Sequence, residues 1–314
     1  MKGYNNMEKI LITGHKNPDT DTICSSLVME KIAKHYGVEA QAVRLGKLNK
    51  ETEYVFKYLG IEAQPEISNV EANQKLILVD HNEAGQSVDG RKDAEVIAVI
   101  DHHRIADFST ELPLYYIAKP VGCTSTILYD ICKHENIEID KQMAVLMLSA
   151  IISDTLLLKS PTCTEKDIEA YKELERIADV DAATYGLNML KAGTDISSYS
   201  CEEVINLDAK LYEENGMKIE IAQVNTADID DVFSRKEDLS FAIEKEIAEK
   251  GLNLFVFTIT DIINTNSKII ALGKDKDIVE KAFGKKLDSD DSMLLEGVVS
   301  RKKQLAPPIL SVIK

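Results

Sequence analysis

The chain has 314 residues, of which 44% are hydrophobic and 29% are charged. This length predicts two domains rather than a single core, and the composition is typical of a globular protein. Its 37 lysines and arginines against 53 aspartates and glutamates give a net charge of −16, which disfavours nonspecific binding to nucleic acid or to an anionic membrane.

Two further observations concern the cellular compartment. No apolar run approaches the ~20 residues of a membrane span, and the first ten residues, MKGYNNMEKI, lack the apolar core of a signal peptide. We therefore expect a cytoplasmic protein without a membrane partner. The five cysteines are dispersed without C-x-x-C spacing, which predicts free thiols rather than disulfides or a zinc knuckle.

The first part of the chain alternates short apolar runs with helical patterns. The runs are rich in Val, Ile and Leu, as in strands that are covered on both faces. Strands are predicted at KILITG, AQAVRLG, KLILVDH and EVIAVIDHH, and helices at residues 22–36, 51–60, 123–135, 141–153 and 164–178. This alternation predicts an α/β fold with a doubly wound, mainly parallel sheet.

The pattern changes near the polar segment KAGTDISSYSCEE. We assign residues 1–190 to the first domain, 191–196 to a linker and 197–314 to a smaller α+β domain with a mixed sheet. In this second domain, KLYEENGMKIEIAQV and LNLFVFTITDIINTNSKIIALG each predict two strands joined by a polar turn containing Asn. Residues 228–250, between these pairs, predict a charged amphipathic helix.

Several predicted elements of the first domain end in side chains that commonly bind metal ions. These side chains are His15, Asp19 and Asp21 after the first strand, Asp80 and His81 after KLILV, Asp101, His102 and His103 after EVIAVI, and Asp154 at the end of MAVLMLSAIISD. The carboxyl ends of parallel strands share one edge of a sheet, where ligands bind, so residues far apart in sequence converge there.

Charge favours a metal site at this edge. Four carboxylates, those of Asp19, Asp21, Asp80 and Asp154, would repel one another without a cation. Mixed carboxylate and imidazole ligands suit Mn²⁺, Co²⁺, Fe²⁺ or Zn²⁺. The lack of thiolates among them argues against a purely structural zinc site. Four carboxylates and two histidines exceed the needs of one ion and suit a pair ~3.5–4 Å apart, bridged by a carboxylate and by water.

Simpler roles remain open for individual positions. An aspartate that ends a strand often forms a turn, and Asp21 or Thr22 could cap the following helix. For Asp101 we favour a role in orienting a neighbouring imidazole. His35 and His134 lie in helix tails, where we expect no chemistry.

The motifs together carry a family resemblance. IDHH, with H-x3-D-x-D at 15–21 and VDH at 79–81, resembles the DHH phosphoesterase superfamily. The closer resemblance, over essentially the whole chain, is to the family II inorganic pyrophosphatases, and rests on GHKNPDTDTICS, LVDHNE, IDHH, VGCTSTIL, LSAIISDTLLLKSPT and SRKKQLAP. It implies a cytosolic enzyme dependent on manganese or cobalt, a DHH domain, a DHHA2-like substrate-binding domain, and an active site in the cleft between them.

The resemblance also implies the metal ligands. One ion would be held by His15, Asp19 and Asp80, and the other by Asp21, Asp80, His102 and Asp154. Asp80 would then bridge two Mn²⁺ or Co²⁺ ions per subunit. Magnesium would arrive with the substrate.

The same resemblance assigns the substrate contacts. His103 would face the substrate, and Lys210, Arg301 and Lys302 of the second domain would bind the phosphates. The net charge of −16 repels an anionic substrate, so such a substrate needs positive charge near its binding site. These basic side chains would supply that charge. The expected reaction is hydrolysis of pyrophosphate to two orthophosphates by a water or hydroxide bridging the two metal ions.

Other functions remain open at this point. Relatives with the DHH motif include phosphodiesterases and exopolyphosphatases, although the chain has no tryptophan and only 6% aromatic residues, which is unlike a nucleic-acid-binding protein. A metal-dependent sensor without turnover is a further alternative. The family resemblance implies a homodimer, and PLYYIAKP reads as an edge strand that could pair across a two-fold axis.

Overall fold

The computed structural model describes residues 9–313. The chain divides after Gly193 into two compact units, which are described separately below. Residues 1–8, most of the N-terminal stretch behind the cytoplasmic expectation, lie outside the described residues. Within residues 9–313, no helix combines the length and apolar character that a bilayer crossing needs.

The first unit is built on a five-stranded sheet in which every neighbouring pair of strands is parallel. The strands are β1 (Ile10–Thr13), β2 (Ala40–Val43), β3 (Lys75–Val79), β4 (Glu95–Asp101) and β5 (Tyr115–Ala118). Their order is β2-β1-β3-β4-β5. This order is typical of doubly wound sheets and confirms the predicted parallel α/β fold. Strand β5 lies at an edge, as PLYYIAKP predicts.

The helices of this unit follow the predicted pattern closely. They are α1 (Thr20–His35), α2 (Lys50–Leu59), α3 (Thr124–His134), α4 (Lys141–Thr155), α5 (Glu165–Ala178) and α6 (Ala182–Gly193). Helix α2 ends, as predicted, at Gly60, whose φ of 64° suits a left-handed C-cap. Helix α6 was not predicted; it runs into residues 191–193, which the sequence suggests as linker.

The two faces of the sheet are covered differently. Helices α1 and α3 pack against strands β1–β4, and α4 packs behind α1. The other face is covered by irregular segments, whose Leu45, Val70 and Val88 form a buried cluster with Leu76, Leu78 and Val99 of the strands. Burial on both faces explains why these strands read as continuous apolar runs.

The second unit contains a mixed five-stranded sheet, as predicted. Its strands are β6 (Ala209–Glu214), β7 (Met217–Thr226), β8 (Leu254–Asp261), β9 (Asn266–Leu272) and β10 (Ser292–Glu296), in the order β10-β9-β8-β7-β6. Strands β7 and β8 are parallel, and the other pairs are antiparallel. The predicted hairpin turn between β6 and β7 is Asn215-Gly216, with φ values of 48° and 77° as a tight two-residue turn requires.

Helices cover both faces of this second sheet. They are α7 (Cys201–Val204), α8 (Ile229–Phe233), α9 (Lys236–Lys250), α10 (Asp277–Phe283) and α11 (Ala306–Val312), with a π-helical turn at Arg301–Leu305. Along β8, Phe255 and Phe257 pack with Ile243 of α9, whereas Leu254 and Val256 pack with Val279 of α10. Alternate side chains of one strand thus enter two separate cores.

The prediction of one helix over 228–250 is wrong, because the segment forms α8 and α9. Asp228 caps α8 by accepting from the backbone N–H groups of Asp230 and Asp231. The Ser234 hydroxyl then donates to the Asp231 carbonyl at 2.6 Å. Such side-chain bonds to nearby backbone compete with helix continuation, and α9 begins afresh at Lys236.

Candidate metal centre

The predicted metal-binding side chains of the first unit follow three adjacent parallel strands. β1, β3 and β4 end at Thr13, Val79 and Asp101, and these ends lie on one edge of the sheet. His15, Asp80 and His102 come directly after them. Helices α1 and α3 also begin at this edge, and they add backbone N–H groups to the carboxylate cluster.

The loop between β1 and α1 is tight. A Cβ atom on Gly14 would lie 2.1 Å from the Cγ2 atom of Thr22, so only glycine fits at this close approach. Asp19, rather than Asp21 or Thr22, caps α1: its Oδ1 atom accepts from the Thr22 N–H at 2.9 Å. Its Oδ2 atom lies 3.3 Å from Nε2 of His15, so the cap also aims a carboxylate oxygen at the imidazole.

Asp80 stands at the centre of the cluster and is 1% exposed. Its Oδ2 atom lies 3.5 Å from His15 Nε2 and accepts the Thr22 hydroxyl at 2.6 Å. Its Oδ1 atom lies 3.3 Å from His102 Nε2 and accepts the Thr124 hydroxyl at 3.0 Å. The two oxygens thus face two different histidines, which is the arrangement that a bridging carboxylate needs.

Asp21 is fully buried at the N-terminus of α3. It accepts from the backbone N–H groups of Thr124 and Ser125 at 2.7 and 3.3 Å, and from the Ser25 hydroxyl at 2.6 Å. The helix N-terminus favours this negative charge. Asp154, in the last turn of α4, places Oδ2 3.6 Å from His102 Nε2.

Backbone carbonyls fix the orientation of both imidazoles. A carbonyl only accepts hydrogen bonds, so His15 donates from Nδ1 to the Lys16 carbonyl at 2.8 Å, and His102 donates from Nδ1 to the Val121 carbonyl at 3.0 Å. Each ring therefore turns Nε2 toward the carboxylates. Among residues 9–313, the buried Nε2 atom of His102 has no hydrogen-bond partner. Imidazoles held in this way by second hydrogen bonds are typical of metal ligands.

The neighbouring carboxylates raise the pKa of both imidazoles. Burial lowers the pKa of His15, but the adjacent Asp19 and Asp80 carboxylates outweigh it and raise the pKa to about 11. For His102, burial likewise lowers the pKa, and Asp80 together with the charge of Asp21 raises it to about 9. Positive charge at these positions is thus strongly favoured.

The carboxylates respond to the same crowding. Burial, followed by the charge of Asp80, raises the pKa of Asp21 to about 7. Burial and the charges of Asp21 and Asp80 raise the pKa of Asp154 well above its ordinary value. For Asp80, burial opposes ionisation, but His102 and His15 outweigh it and lower the pKa. A divalent cation would relieve this repulsion.

The ligand atoms are close enough to share metal ions. Three groups each offer ligand atoms within 4.8 Å of one another: His15, Asp19 and Asp80; Asp80, His102 and His103; and Asp21, Cys123 and Asp154. Carboxylate oxygens and imidazole nitrogens dominate these groups, as Mn²⁺ and Co²⁺ sites require. The orphaned Nε2 atom of His102 and the central Asp80 therefore fit a metal pair.

His103 lies at the rim of the cluster, with its side chain 53% exposed. Its backbone N–H and its Nδ1 atom both meet Asp101 Oδ1, at 3.0 and 2.9 Å, and Asn82 donates to the other oxygen of Asp101 at 2.6 Å. Asp101 thereby orients the imidazole, as we expected, and raises the pKa of His103. His81 is separate: its ring nitrogens bond the Val79 carbonyl and the Ser87 hydroxyl, and burial lowers its pKa to about 4.

The predicted phosphate-binding cations lie in the second unit. Lys210 is exposed on β6, with Nζ 5.4 Å from the centre of the Tyr212 ring. Arg301 begins the π-helical turn, and its guanidinium pairs with Asp208 Oδ1 at 2.8 Å. Lys302 is exposed beside it.

Three side chains in this cluster were not predicted from the sequence to contact the acidic residues. Cys123 was expected only to be a free thiol, and it is buried within the Asp21–Asp154 group. Thr22 and Thr124 hold the two oxygens of Asp80. The signal that points to them is their position at the starts of helices that follow β1 and β5, within the GHKNPDTDTICS and VGCTSTIL motifs.

Both units of the chain are similar to known protein families, and the whole chain is similar to known proteins. The DHH family, N-terminal domain, matches residues 9–151, and the DHHA2 domain matches residues 187–312. The chain is 53% identical over 310 residues to the probable manganese-dependent inorganic pyrophosphatase of Bacillus licheniformis. The aligned region covers 98% of this chain and 100% of that protein. It is also 53% identical over 303 residues to the manganese-dependent inorganic pyrophosphatase of Bacillus subtilis, covering 96% and 97%.

A solved structure supports the same relationship over both units. The putative family II inorganic pyrophosphatase of Methanococcus jannaschii superimposes with a TM-score of 0.62 at 38% sequence identity. The match covers 97% of this chain and 99% of that one.

Proposed function

This chain belongs to the DHH family and, within it, to the manganese-dependent inorganic pyrophosphatases, and from that premise we propose that it hydrolyses inorganic pyrophosphate to two orthophosphates. The observation that carries the proposal is the position of Asp80, whose two oxygens face His15 and His102 separately. A carboxylate so placed could ligate two cations, and paired metal ions are a common arrangement in enzymes that hydrolyse phosphoryl groups.

We assign two Mn²⁺ ions, replaceable by Co²⁺, to each subunit. His15, Asp19 and Asp80 hold the first, and the second is held by Asp21, Asp80, His102 and Asp154. When bound, the pair supplies positive charge for phosphate oxygens and lowers the pKa of a shared water, and Mg²⁺ enters with the substrate. Hydroxyl and backbone donors orient Asp80 and Asp21 for this role.

Four basic side chains act on the substrate. His103 keeps a proton on Nδ1 against Asp101 and presents the rest of its ring to the phosphates. Arg301 offers a planar guanidinium for bidentate contact with phosphate oxygens, and Lys210 and Lys302 act as point charges. Arg301 exchanges its contact with Asp208 for the substrate.

The reaction needs no covalent enzyme intermediate. The oxygen of water forms a bond to one phosphorus as the bond from that phosphorus to the bridging oxygen breaks. The departing orthophosphate keeps both electrons of the broken bond and takes up the proton that the water loses. His103 and the basic side chains meet the charge that grows on the departing oxygen.

The proposed context follows the same relationship. We place the enzyme in the cytoplasm as a homodimer formed through the first unit, without nucleic acid or membrane partners. Edge strand β5 supports the dimer proposal, because no other strand within residues 9–313 pairs with its outer edge, which could pair with the same strand of a second copy.

A substrate comparison tests the function. Metal-stripped protein reconstituted with Mn²⁺ is assayed side by side on pyrophosphate, tripolyphosphate, a cyclic dinucleotide and a short oligonucleotide. We expect pyrophosphate to have the highest kcat/KM. A better rate on tripolyphosphate would point to an exopolyphosphatase, a better rate on either nucleotide to a phosphodiesterase, and binding without turnover to a sensor.

A further inference from the structure

Glu51 links two of the elements that carry the proposed metal ligands. It lies in the first turn of α2, half-buried, and its Oε2 atom accepts the Ser153 hydroxyl at 2.7 Å and the Thr20 hydroxyl at 3.3 Å. Thr20 separates Asp19 from Asp21 at the start of α1. Ser153 directly precedes Asp154 in α4.

The carboxylate is held firmly from its own side. Asn49 caps α2 by accepting from the Thr52 N–H and hydroxyl, both at 2.8 Å. The buried Thr52 hydroxyl also lies 3.2 Å from the Thr20 hydroxyl. The start of α2 is thus tied to the start of α1 by two neighbouring side chains, and the helix N-terminus favours the negative charge of Glu51.

A glycine leaves room for this carboxylate. Gly193, the last residue of α6, packs so closely on Glu51 that a Cβ atom would lie 2.2 Å from its Cγ atom and 2.7 Å from its Oε1 atom. Any side chain there forces Glu51 to move. Its backbone φ lies outside the left-handed region, so the requirement for glycine here is one of space.

We propose that Glu51 is a positioning residue for the metal pair, which sets the separation between the ligands of α1 and Asp154 of α4. The proposal rests on the proposed function, because it takes Asp19, Asp21 and Asp154 as Mn²⁺ ligands. Removing the carboxylate leaves the Thr20 and Ser153 hydroxyls without their shared acceptor, and the two helices lose a fixed link next to their ligands. Partners that hydrogen-bond metal ligands directly typically contribute about 10- to 100-fold to metal affinity, and Glu51 acts through residues adjacent to the ligands, so we expect the lower end of this range.

The chain offers matched variants for a test. Glu51→Ala removes the acceptor, and Glu51→Gln keeps an oxygen in the same place. Gly193→Ala displaces Glu51 without removing it, and alanine is the better helix former, so α6 itself gains. Glu53→Ala is the control, because it removes the same charge from an exposed position in the same turn of α2.

The readout is the Mn²⁺ dissociation constant of the full chain, measured from the free-ion electron paramagnetic resonance signal, with Tm in chelator as the check on folding. We expect Glu51→Ala and Gly193→Ala to weaken Mn²⁺ binding about 10-fold, and Glu51→Gln and Glu53→Ala to bind close to wild type. KM for pyrophosphate at saturating Mn²⁺ should change little, because Glu51 acts on the metal ligands.

Two outcomes would overturn the inference while leaving the proposed function intact. Either Glu51→Ala and Gly193→Ala bind Mn²⁺ as tightly as wild type, or Glu53→Ala weakens binding as much as they do. If Glu51→Ala does not fold, Gly193→Ala and Glu51→Gln still decide between these outcomes. A wild-type protein that binds no Mn²⁺ would instead reject the proposed function, and the inference with it.

Discussion

The Nε2 atom of His102 lies 3.3 Å from the Oδ1 atom of Asp80, and no hydrogen bond joins them. On the other side of the same carboxylate, Oδ2 lies 3.5 Å from Nε2 of His15. Both imidazoles have their Nδ1 atoms bonded to backbone carbonyls, so both Nε2 atoms converge on one carboxylate. The proposed cation pair binds where these side chains converge.

Asp154→Ala is expected to remove one of the two metal sites. Asp154 approaches His102 but does not belong to the His15–Asp19–Asp80 group, so the first ion should stay. The number of Mn²⁺ ions bound per subunit, measured by equilibrium dialysis, should fall from two to one. Turnover should fall by more than about 100-fold, because about 100-fold is the usual upper limit for loss of a residue that only hydrogen-bonds a metal ligand. Retention of two ions with normal turnover would remove Asp154 from the site.

Arg301→Ala is expected to weaken substrate binding without affecting the metals. A hydrogen bond to a charged group contributes about 1.5–3 kcal/mol, so KM for pyrophosphate should rise roughly 10- to 100-fold. Mn²⁺ affinity should be unchanged. Lys303→Ala is the control, because it removes the same charge from an exposed position in the same turn. If both variants raise KM equally, the effect comes from the overall electrostatic field and not from a contact between Arg301 and the substrate.

The alkaline limb of the pH–rate profile should report His103. Its hydrogen bond to Asp101 raises its pKa, so Asp101→Asn lowers that pKa and deprotonates the ring at lower pH. If the protonated ring meets the substrate, the alkaline limb of kcat/KM moves to lower pH. An unmoved limb would exclude His103 as the group that titrates there.

Metal ions and protons should compete for His15 and His102, and this competition should make the stability of the folded protein depend on pH. Without metal, folded His15 and His102 hold protons up to about pH 11 and about pH 9, whereas the unfolded chain releases them near the ordinary 6.5. Between pH 6.5 and 9 the folded state therefore binds more protons, and the metal-free protein loses stability as pH rises.

Mn²⁺ replaces those protons, so the increase in Tm on adding Mn²⁺ should grow from pH 6.5 to pH 9. The comparison is made by calorimetry with chelator and with saturating Mn²⁺ at each pH. An increase in Tm that stays constant or shrinks over this range would contradict the assignment of protonated imidazoles.

The convergence of acidic and histidine side chains at one edge of the sheet is predictable from the sequence for a topological reason. His15, Asp80 and His102 follow three apolar runs that read as parallel strands, and the ends of such strands meet at one edge whatever the lengths of the connections. The residue types then restrict the chemistry, because carboxylate and imidazole without thiolate suit manganese or cobalt. No contact between side chains had to be known in advance.

Features that depend on side-chain contacts across helices were not predictable. Glu51 looks like one of many surface acids on an amphipathic helix, and only the fold brings Ser153, 102 residues later in the chain, to 2.7 Å from it. The break at Ser234 depends on a local side-chain bond that competes with a helical pattern of the correct period. Helix α6 was missed because its sequence borders the polar segment taken as linker.

The measurement that tests the central claim most directly is a metal titration of activity. Protein stripped with chelator is given Mn²⁺ in increments, and bound metal and phosphate release from pyrophosphate are followed together. The account predicts no turnover in the stripped protein, and full turnover when two Mn²⁺ ions are bound per subunit, with two orthophosphates released per pyrophosphate. Full activity in the presence of chelator, or saturation of activity at a single ion, would contradict it.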